Sequence, residues 1–583
     1  EPLAVQVDAG STLDLRAFTG QAQTVNRLTV DCAFGGGTIR GGALADSGVV
    51  DFVNVPPEGF ESVAFAFEET QDLANLANWT VTLDGMEFSG VAAAYDTEAK
   101  TLSIDAAFVH VTESGEGDLQ AAHPDKNLVV IVDPDVAFTN TVALAGSRTL
   151  GKLGAGTLVL IGAADGYSGT IDVSAGVLEG VVSNAFGTGT VMVRGSTTST
   201  CQVRLGSKEV PTAFANDFEF VGDSSAGHPA LAFETSNRAL NVRLQGEVRA
   251  LGYLAITDSG NGSAQGYSIV YFEGDVTAPG ATISYPCDND VHFLGRLQTE
   301  VLHAVTSYPR MGCFVLHSSA NEIGSIQLDY IRCRAETSGA FGGAELKGLG
   351  SNTEAGRGSF DLYGTDQTAV CLSWEQAATR TKDVKNQRYD EPASLTLTGG
   401  VAYAKSCHRL IGGSNVKNRR IDFVIAAGND DFVQELTNSV STTEGAVIVS
   451  NGTLRLTGES SLALIPSLAV ERGAFELDGT LANALTNVTQ LSVGAGGRLR
   501  LGAEAATPFG EQPKAELRME SDASLELPEG AAVTVKKAWV GGMPLVPGTY
   551  TGAEGSVGEK ISQIVGKGTL TVLRGGGMAV IFR

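Results

Sequence analysis

The chain has 583 residues, with 66 acidic side chains against 40 basic ones, a formal charge of −26. An acidic balance of that size supplies the wrong sign for reading phosphate, which excludes nucleic acid as a partner. At 43% hydrophobic the chain buries a large core and is not disordered, while 73 glycines and only 18% charged residues mark it as rich in turns.

The chain opens at Glu1-Pro2-Leu3 without an initiator Met, a basic segment or an apolar leader, so the expectation is a mature product or an excerpt of a longer protein. Period-2 alternation dominates throughout, and strands rather than helices are expected. The first copy of a recurring Gly-x-apolar-x-apolar unit is VDAGSTLDL at 7–15. Residues 79–104 (WTVTLDGMEFSGVAAAYDTEAKTLSI) share with 539–572 the order Trp, Gly, Tyr, then Thr-Leu-x-Ile or Val. Two array ends are therefore expected in one chain: residues 1–105 finish a first array with its closing module. The densest apolar run, Leu128 to Val132, is stopped by Asp133 and Pro134, so no transmembrane segment is expected.

The unit returns at TLGKLGAGTLVLIG (149–162) and GYSGTIDVSAGVLEG (166–180), then at 445–458, 468–479, 491–502 and 565–572. Glycines 452, 473 and 497 lie 21 and 24 residues apart. One such unit cannot bury its own apolar face, so the copies are read as coils of a β-solenoid: Leu454 and Leu456 inward, Thr453 and Arg455 outward, glycines at positive-φ corners. A sandwich of hairpins, with turns at Asn451-Gly452 and Asp478-Gly479, is the competing reading; the near-constant coil length favours the solenoid. The main solenoid is expected over 106–510, irregular and bearing insertions at about 200–440. A closing module and terminal strand follow at 511–583.

The segment 149–180 resembles the autotransporter-associated β-strand repeat, also called the passenger-associated transport repeat. Lys152, Gly154, Gly156, Thr157, Leu158 and Leu160, then Tyr167, Gly169, Thr170, Val173, Gly176 and Leu178, carry the likeness. VPGTYTG to IVGKGTLTV (546–572) is similar to the module that closes such arrays. The resemblance implies an all-β, right-handed parallel β-helix outside a bacterial cell, with display, adhesion or scaffolding as its roles and no cofactor. A translocator barrel expected of a self-exporting passenger does not follow residue 510, so export needs another route or a further part of the protein.

Seven cysteines (32, 201, 287, 313, 333, 371 and 407) form no C-x-x-C pair. Five of them, from Cys287 to Cys407, are read as an interior ladder or plain core of stacked coils. Asp288, Asp290 and His292 alternate as metal ligands would in a strand, but Pro286 and the Asp/Asn density favour a solvated turn. Cys313 and His317 share a strand face about 13 Å apart, too far for one metal. Asn429-Asp430-Asp431 offers adjacent carboxylates for glycosidase-like chemistry, with a turn as the favoured reading. Arg388 to Glu391, near Trp374 and the basic stretch from Lys382, offers a sugar platform, and Lys417 to Arg420 a second basic patch; both are read as exposed loops. Met578, Ala579, Val580, Ile581 and Phe582 form an apolar strand after three glycines, matched by LAVQV at 3–7, and are the candidate for head-to-tail self-association.

The expected function is that of a secreted or cell-surface structural and adhesive module, non-catalytic, with no cofactor and no metal. Its expected partners are another copy of itself through the solenoid ends, a surface glycan, or a host or matrix protein. The alternative is a carbohydrate-active β-helix, enzyme or binding module, with its site at 285–435.

Overall fold

A computed structural model of the chain describes residues 3–7, 11–17, 23–31, 37–40, 42–53, 60–61, 64–67, 79–83, 86–87, 93–104, 106–195, 201–207, 209–222, 229–233, 241–258, 269–284, 290–304, 312–328, 331–349, 358–374, 383–388, 391–412, 420–480, 482–503 and 507–574. It is all-β, with parallel strands stacked as a solenoid of about 17 turns. Contacts divide it into two units, 1–289 and 290–583.

In the first unit, Leu3–Gln6, Gln23–Asp31, Gly42–Val53 and Trp79–Leu83 pair in parallel. Trp79–Leu83 then turns back on Met86–Glu87, and Ala93–Asp96 pairs antiparallel with Thr101–Ile104. A fresh parallel ladder starts at Ala106–Val111 and climbs through Asn127–Val132, Leu150–Leu153, Ile171–Val173, Val191–Arg194, Phe218–Gly222 and Val248–Gly252. Its companion ladder runs from Ala137–Asn140 through Thr157–Leu160, Gly176–Gly180, Cys201–Leu205 and Pro229–Phe233 to Leu254–Asp258. Strict alternation aims Ile171 and Val173, then Val191 and Val193, inward, and all four are fully buried.

The repeat blurs after residue 200 because the coil gains a strand. Leu150 meets Ile171 after 21 residues, whereas Phe218 meets Val248 after 30, with Thr212–Phe214 and Val242–Leu244 forming a third ladder between the other two. A wider coil encloses more volume, and aromatic rings fill it: Phe186 packs on Phe214 at 5.5 Å, and Phe233 on Phe272 at 6.3 Å.

The second unit builds one ladder from Asp290–Phe293, Cys313–Leu316, Arg332–Ala335, Ser359–Asp361, Asp383–Asn386 and Arg409–Gly412. Another runs from Asp366–Ala369 through Ala393–Leu397, Ile421–Ala426, Val447–Asn451, Ser467–Val470, Gln490–Val493 and Glu516–Met519 to Lys537–Val540. A third rises from Tyr403–Ser406 through Val433–Thr437, Thr453–Gly458, Ala474–Gly479 and Arg498–Leu501 to Ser524–Glu526. Lys537–Val540 then turns back on Met543–Pro544, and Gly548–Thr551 pairs antiparallel with Thr569–Val572. These are the two antiparallel pairings found at 79–104, with Tyr95 opposite Leu102 and Tyr550 opposite Leu570.

Leu454 and Leu456 point inward as expected, and Arg455 points outward to Glu476 at 2.7 Å. Thr453 departs from expectation: it is buried, because Val433 and Ala474, its register partners one coil away on each side, cover it. The glycine corners divide into two kinds. Gly154 and Gly176 have φ of +74° and +68°, as a corner requires, whereas Gly156 and Gly473 have no positive φ and are needed because a Cβ would stand 2.2 Å from the carbonyl of Asp133 or Gly452.

The described cysteines are core residues, but they do not form a ladder. Cys333 stacks on Phe314 and Phe360, at coil spacings of 19 and 27 residues. Cys313, 20 residues before Cys333, is therefore one position out of register and faces the opposite side of its strand. Cys32 and Cys287 lie outside the described residues.

Candidate functional site

Two places on the second unit gather polar chemistry. The first is a cleft of about 250 Å³ at the corner preceding the Thr453–Gly458 ladder, lined by Asp430, Thr453, Arg472, Ala474, Arg498 and Ser524 with glycines 452, 473 and 496 between them. The trough exists because successive coils present glycine, alanine, serine or threonine at the same corner. Asp430 and Arg472 are both exposed, and Arg498 reaches Glu476 at 3.3 Å and Glu526 at 3.6 Å. One carboxylate and two guanidinium groups thus border a polar floor, an arrangement suited to hydroxyls and carboxylates of a sugar chain.

The second place is the outer face of the ladder that begins at Asp290–Phe293. Alternation buries Val291 and Phe293 and turns Asp290 and His292 outward. The neighbouring strand Cys313–Leu316 is in register with it, and the His317 amide donates to the Phe293 carbonyl, extending that register by one residue. His317 consequently lies beside His292, with His292 Nδ1 3.0 Å from His317 Nε2. Burial pulls His292 down to about 4, with His317 and Arg334 adding to the effect. Burial also lowers His317, against the opposing charge of Glu336. Asp290 is raised by burial, which Arg332 and Arg334 oppose, and the Cys313 thiol is pushed up to about 12 by burial.

Further along the same face two carboxylates are buried and paired. Asp361 receives Arg334 Nε at 3.1 Å and the amides of Tyr363 and Gln387, and Arg334 also stacks on the Tyr363 ring at 4.2 Å. Asp383 is held by Arg409 at 2.7 Å and Lys385 at 3.1 Å. Each carboxylate is matched by a cation on its own or an adjacent coil, which is what burial of a charge demands.

Several expectations need correction here. Asp290 and His292 are not in a solvated turn: the ladder continues through them as a strand, while Asp288 lies outside the described residues. The basic stretch before Arg388 is not a loop over its described part, because Asp383–Asn386 is a strand whose outward charges pair across coils. Arg388 itself pairs with Glu391 at 3.2 Å, and Trp374 ends the strand Leu372–Trp374. Asn429-Asp430-Asp431 is an exposed turn as expected, fastened by the Phe432 amide donating to Asn429 Oδ1. Tyr389, Asp390, Lys417 to Arg419 and the strand Met578, Ala579, Val580, Ile581 and Phe582 lie outside the described residues.

The sequence analysis missed the His292–His317 pair and the corner cleft. It searched for ligand spacings within one strand, whereas the operative spacing is a coil, 25 residues in the case of the histidines. No protein family, no curated protein and no solved structure matches the chain.

Proposed function

We propose that the chain is a secreted or cell-surface structural and adhesive β-solenoid protein, non-catalytic, that presents its coil surfaces to other molecules. The observation that carries this reading is the way outer charges join coils. Arg194 pairs with Asp172, Arg204 with Glu179, Arg334 with Asp361, Arg409 with Asp383 and Lys537 with Glu516, each across about one coil. Glu476 gathers Arg455 from the coil before it and Arg498 and Arg500 from the coil after it. Single exposed pairs contribute little, but such a network keeps long stacks in register, a requirement of scaffolding. The likeness of 149–180 to the autotransporter repeat supports a place outside a bacterial cell.

Head-to-tail assembly through 578–582 belongs to the same reading. Electron microscopy of the purified chain over a concentration series, beside a chain shortened by residues 575–583, tests it. Filaments from the full chain alone are expected, and monodisperse particles in both samples overturn the assembly.

The corner cleft favours a second reading, recognition of an acidic polysaccharide. Arg472 and Arg498 supply carboxylate-binding guanidinium groups one coil apart. A panel of neutral and uronate-containing polysaccharides measured by affinity electrophoresis is expected to show uronate binding that Arg472→Ala weakens about tenfold, the worth of one charged hydrogen bond. Equal migration on all polymers removes this reading.

A further inference from the structure

We propose that His292 and His317 form a binding site for a square-planar divalent transition metal, Cu²⁺ above all. Two ring nitrogens, His292 Nδ1 and His317 Nε2, stand 3.0 Å apart, with ring centroids 5.2 Å apart and planes 26° from parallel. Metal–imidazole bonds of about 2.05 Å subtend about 94° across that gap, close to the right angle between neighbouring ligands in a square plane. A tetrahedral ion opens the angle to about 109° and needs the nitrogens about 3.3 Å apart, so the separation favours copper or nickel over zinc. Copper also heads the affinity order for nitrogen ligands.

The backbone holds this separation in place. His292 lies within the strand Asp290–Phe293, and the His317 amide is fixed to the Phe293 carbonyl at 3.0 Å, so both Cα positions are set by the ladder rather than by a loop. In the metal-free pair a single proton lies between the two nitrogens. Coordination moves that proton to the far nitrogen of the ring that carries it, and a small rotation of each ring brings both lone pairs to one point. No proton is lost from the neutral pair, and no change of oxidation state is required.

The surrounding charges permit a cation. Arg334, the nearest positive group, is already matched by Asp361 at 3.1 Å and Glu336 at 3.7 Å. The Glu336 amide donates to the Leu316 carbonyl, which sets Glu336 beside His317 on the next coil and brings a negative charge to the site. Two imidazoles leave the remaining positions of the plane to water or to a donor from a bound partner. Among the described residues no group of three His, Cys, Asp or Glu side chains meets at one point, so the site is a bidentate one.

The test is titration of the untagged full chain with Cu²⁺ in the presence of a weak glycine competitor, followed by calorimetry and electron paramagnetic resonance. One tight equivalent with nitrogen hyperfine structure is expected. His292→Gln and His317→Gln should each weaken it at least 30-fold, while His303→Gln, on another ladder of the same unit, leaves it unchanged. Circular dichroism and thermal melting of each variant establish that it is folded, and copper should raise the melting temperature of the wild-type chain alone. Retention of the tight equivalent in the folded double variant, or no nitrogen-coordinated copper in the wild type, overturns the proposal.

Discussion

Lys152 shows how far one side chain can depart from its composition class. It occupies an inward position of the ladder between Val130 and Val173 and is completely buried. Its ammonium donates to the carbonyls of Leu153 at 2.9 Å, Gly154 at 2.7 Å and Ala175 at 3.0 Å, using all three donors at a corner where glycine backbone leaves the oxygens accessible. Burial pulls Lys152 down to about 7, with the nearby Cys201 acting in the opposite sense. Between about pH 7 and its ordinary value of 10.5, the unfolded chain holds a proton there that the folded chain has released. Unfolding then takes up a proton, so stability from this group rises with pH across that window. Above pH 9 the sign reverses. Burial pushes Cys201, Cys313 and Cys371 up to about 12, and these thiols stay protonated in the fold while ionising when unfolded. Urea denaturation should therefore give greatest stability near pH 9. Lys152→Met should flatten the rise from pH 7 and cost about 2 kcal/mol through the donor lost to three buried carbonyls. Glycines give a sharper contrast. Gly146→Ala, with φ +81° and open space around it, should cost about 1–2 kcal/mol, whereas Gly154→Ala drives a Cβ to 2.2 Å from the Val132 carbonyl and should cost more than about 3 kcal/mol in the same assay. The repeat motif marked Lys152 and Gly154 as a pair in the sequence. That the lysine turns inward was not legible there, because alternation alone reads a charged residue as solvent-facing, and only the carbonyls of the next coil reverse that preference.

At the scale of strands and corners, buried amides join one coil to the next. Asn140 Oδ1 accepts the Leu119 amide and its Nδ2 donates to Val142 O, Asn321 does the same for Leu297 and Ala340, and Gln367 for Phe341 and Thr337. Each amide satisfies one donor and one acceptor that a corner leaves without a ladder partner. Asn321→Ala should lower stability by about 2–3 kcal/mol, and hydrogen exchange at the Leu297 amide should accelerate while amides in the Thr453–Gly458 ladder stay protected. The strand period, the inward leucines and the order Trp, Gly, Tyr, Thr-Leu were legible at this scale because they are written in neighbouring residues. The histidine pair, the thickened coils and the cysteine register were not. Each depends on the number of residues per coil, and that number changes from 21 to 30 within the first unit.

Across the whole chain, strand pairing is overwhelmingly between adjacent coils, so cooperativity spreads from neighbour to neighbour instead of through one shared core. Unfolding in urea should accordingly be broad, with different midpoints reported by Trp79, Trp374 and Trp539 when the other two are replaced by Phe. A single sharp transition with coincident midpoints contradicts this picture. The change in coil length also sets an exchange rate between sequence and distance. Every coil advances the stack by one strand spacing, about 4.8 Å, however many residues it contains. A 21-residue coil therefore gains about 0.23 Å of height per residue and a 30-residue coil about 0.16 Å. Where the third ladder enters, the chain stops gaining reach and starts gaining girth, and an insertion that adds a strand there widens the core without displacing anything further along the axis.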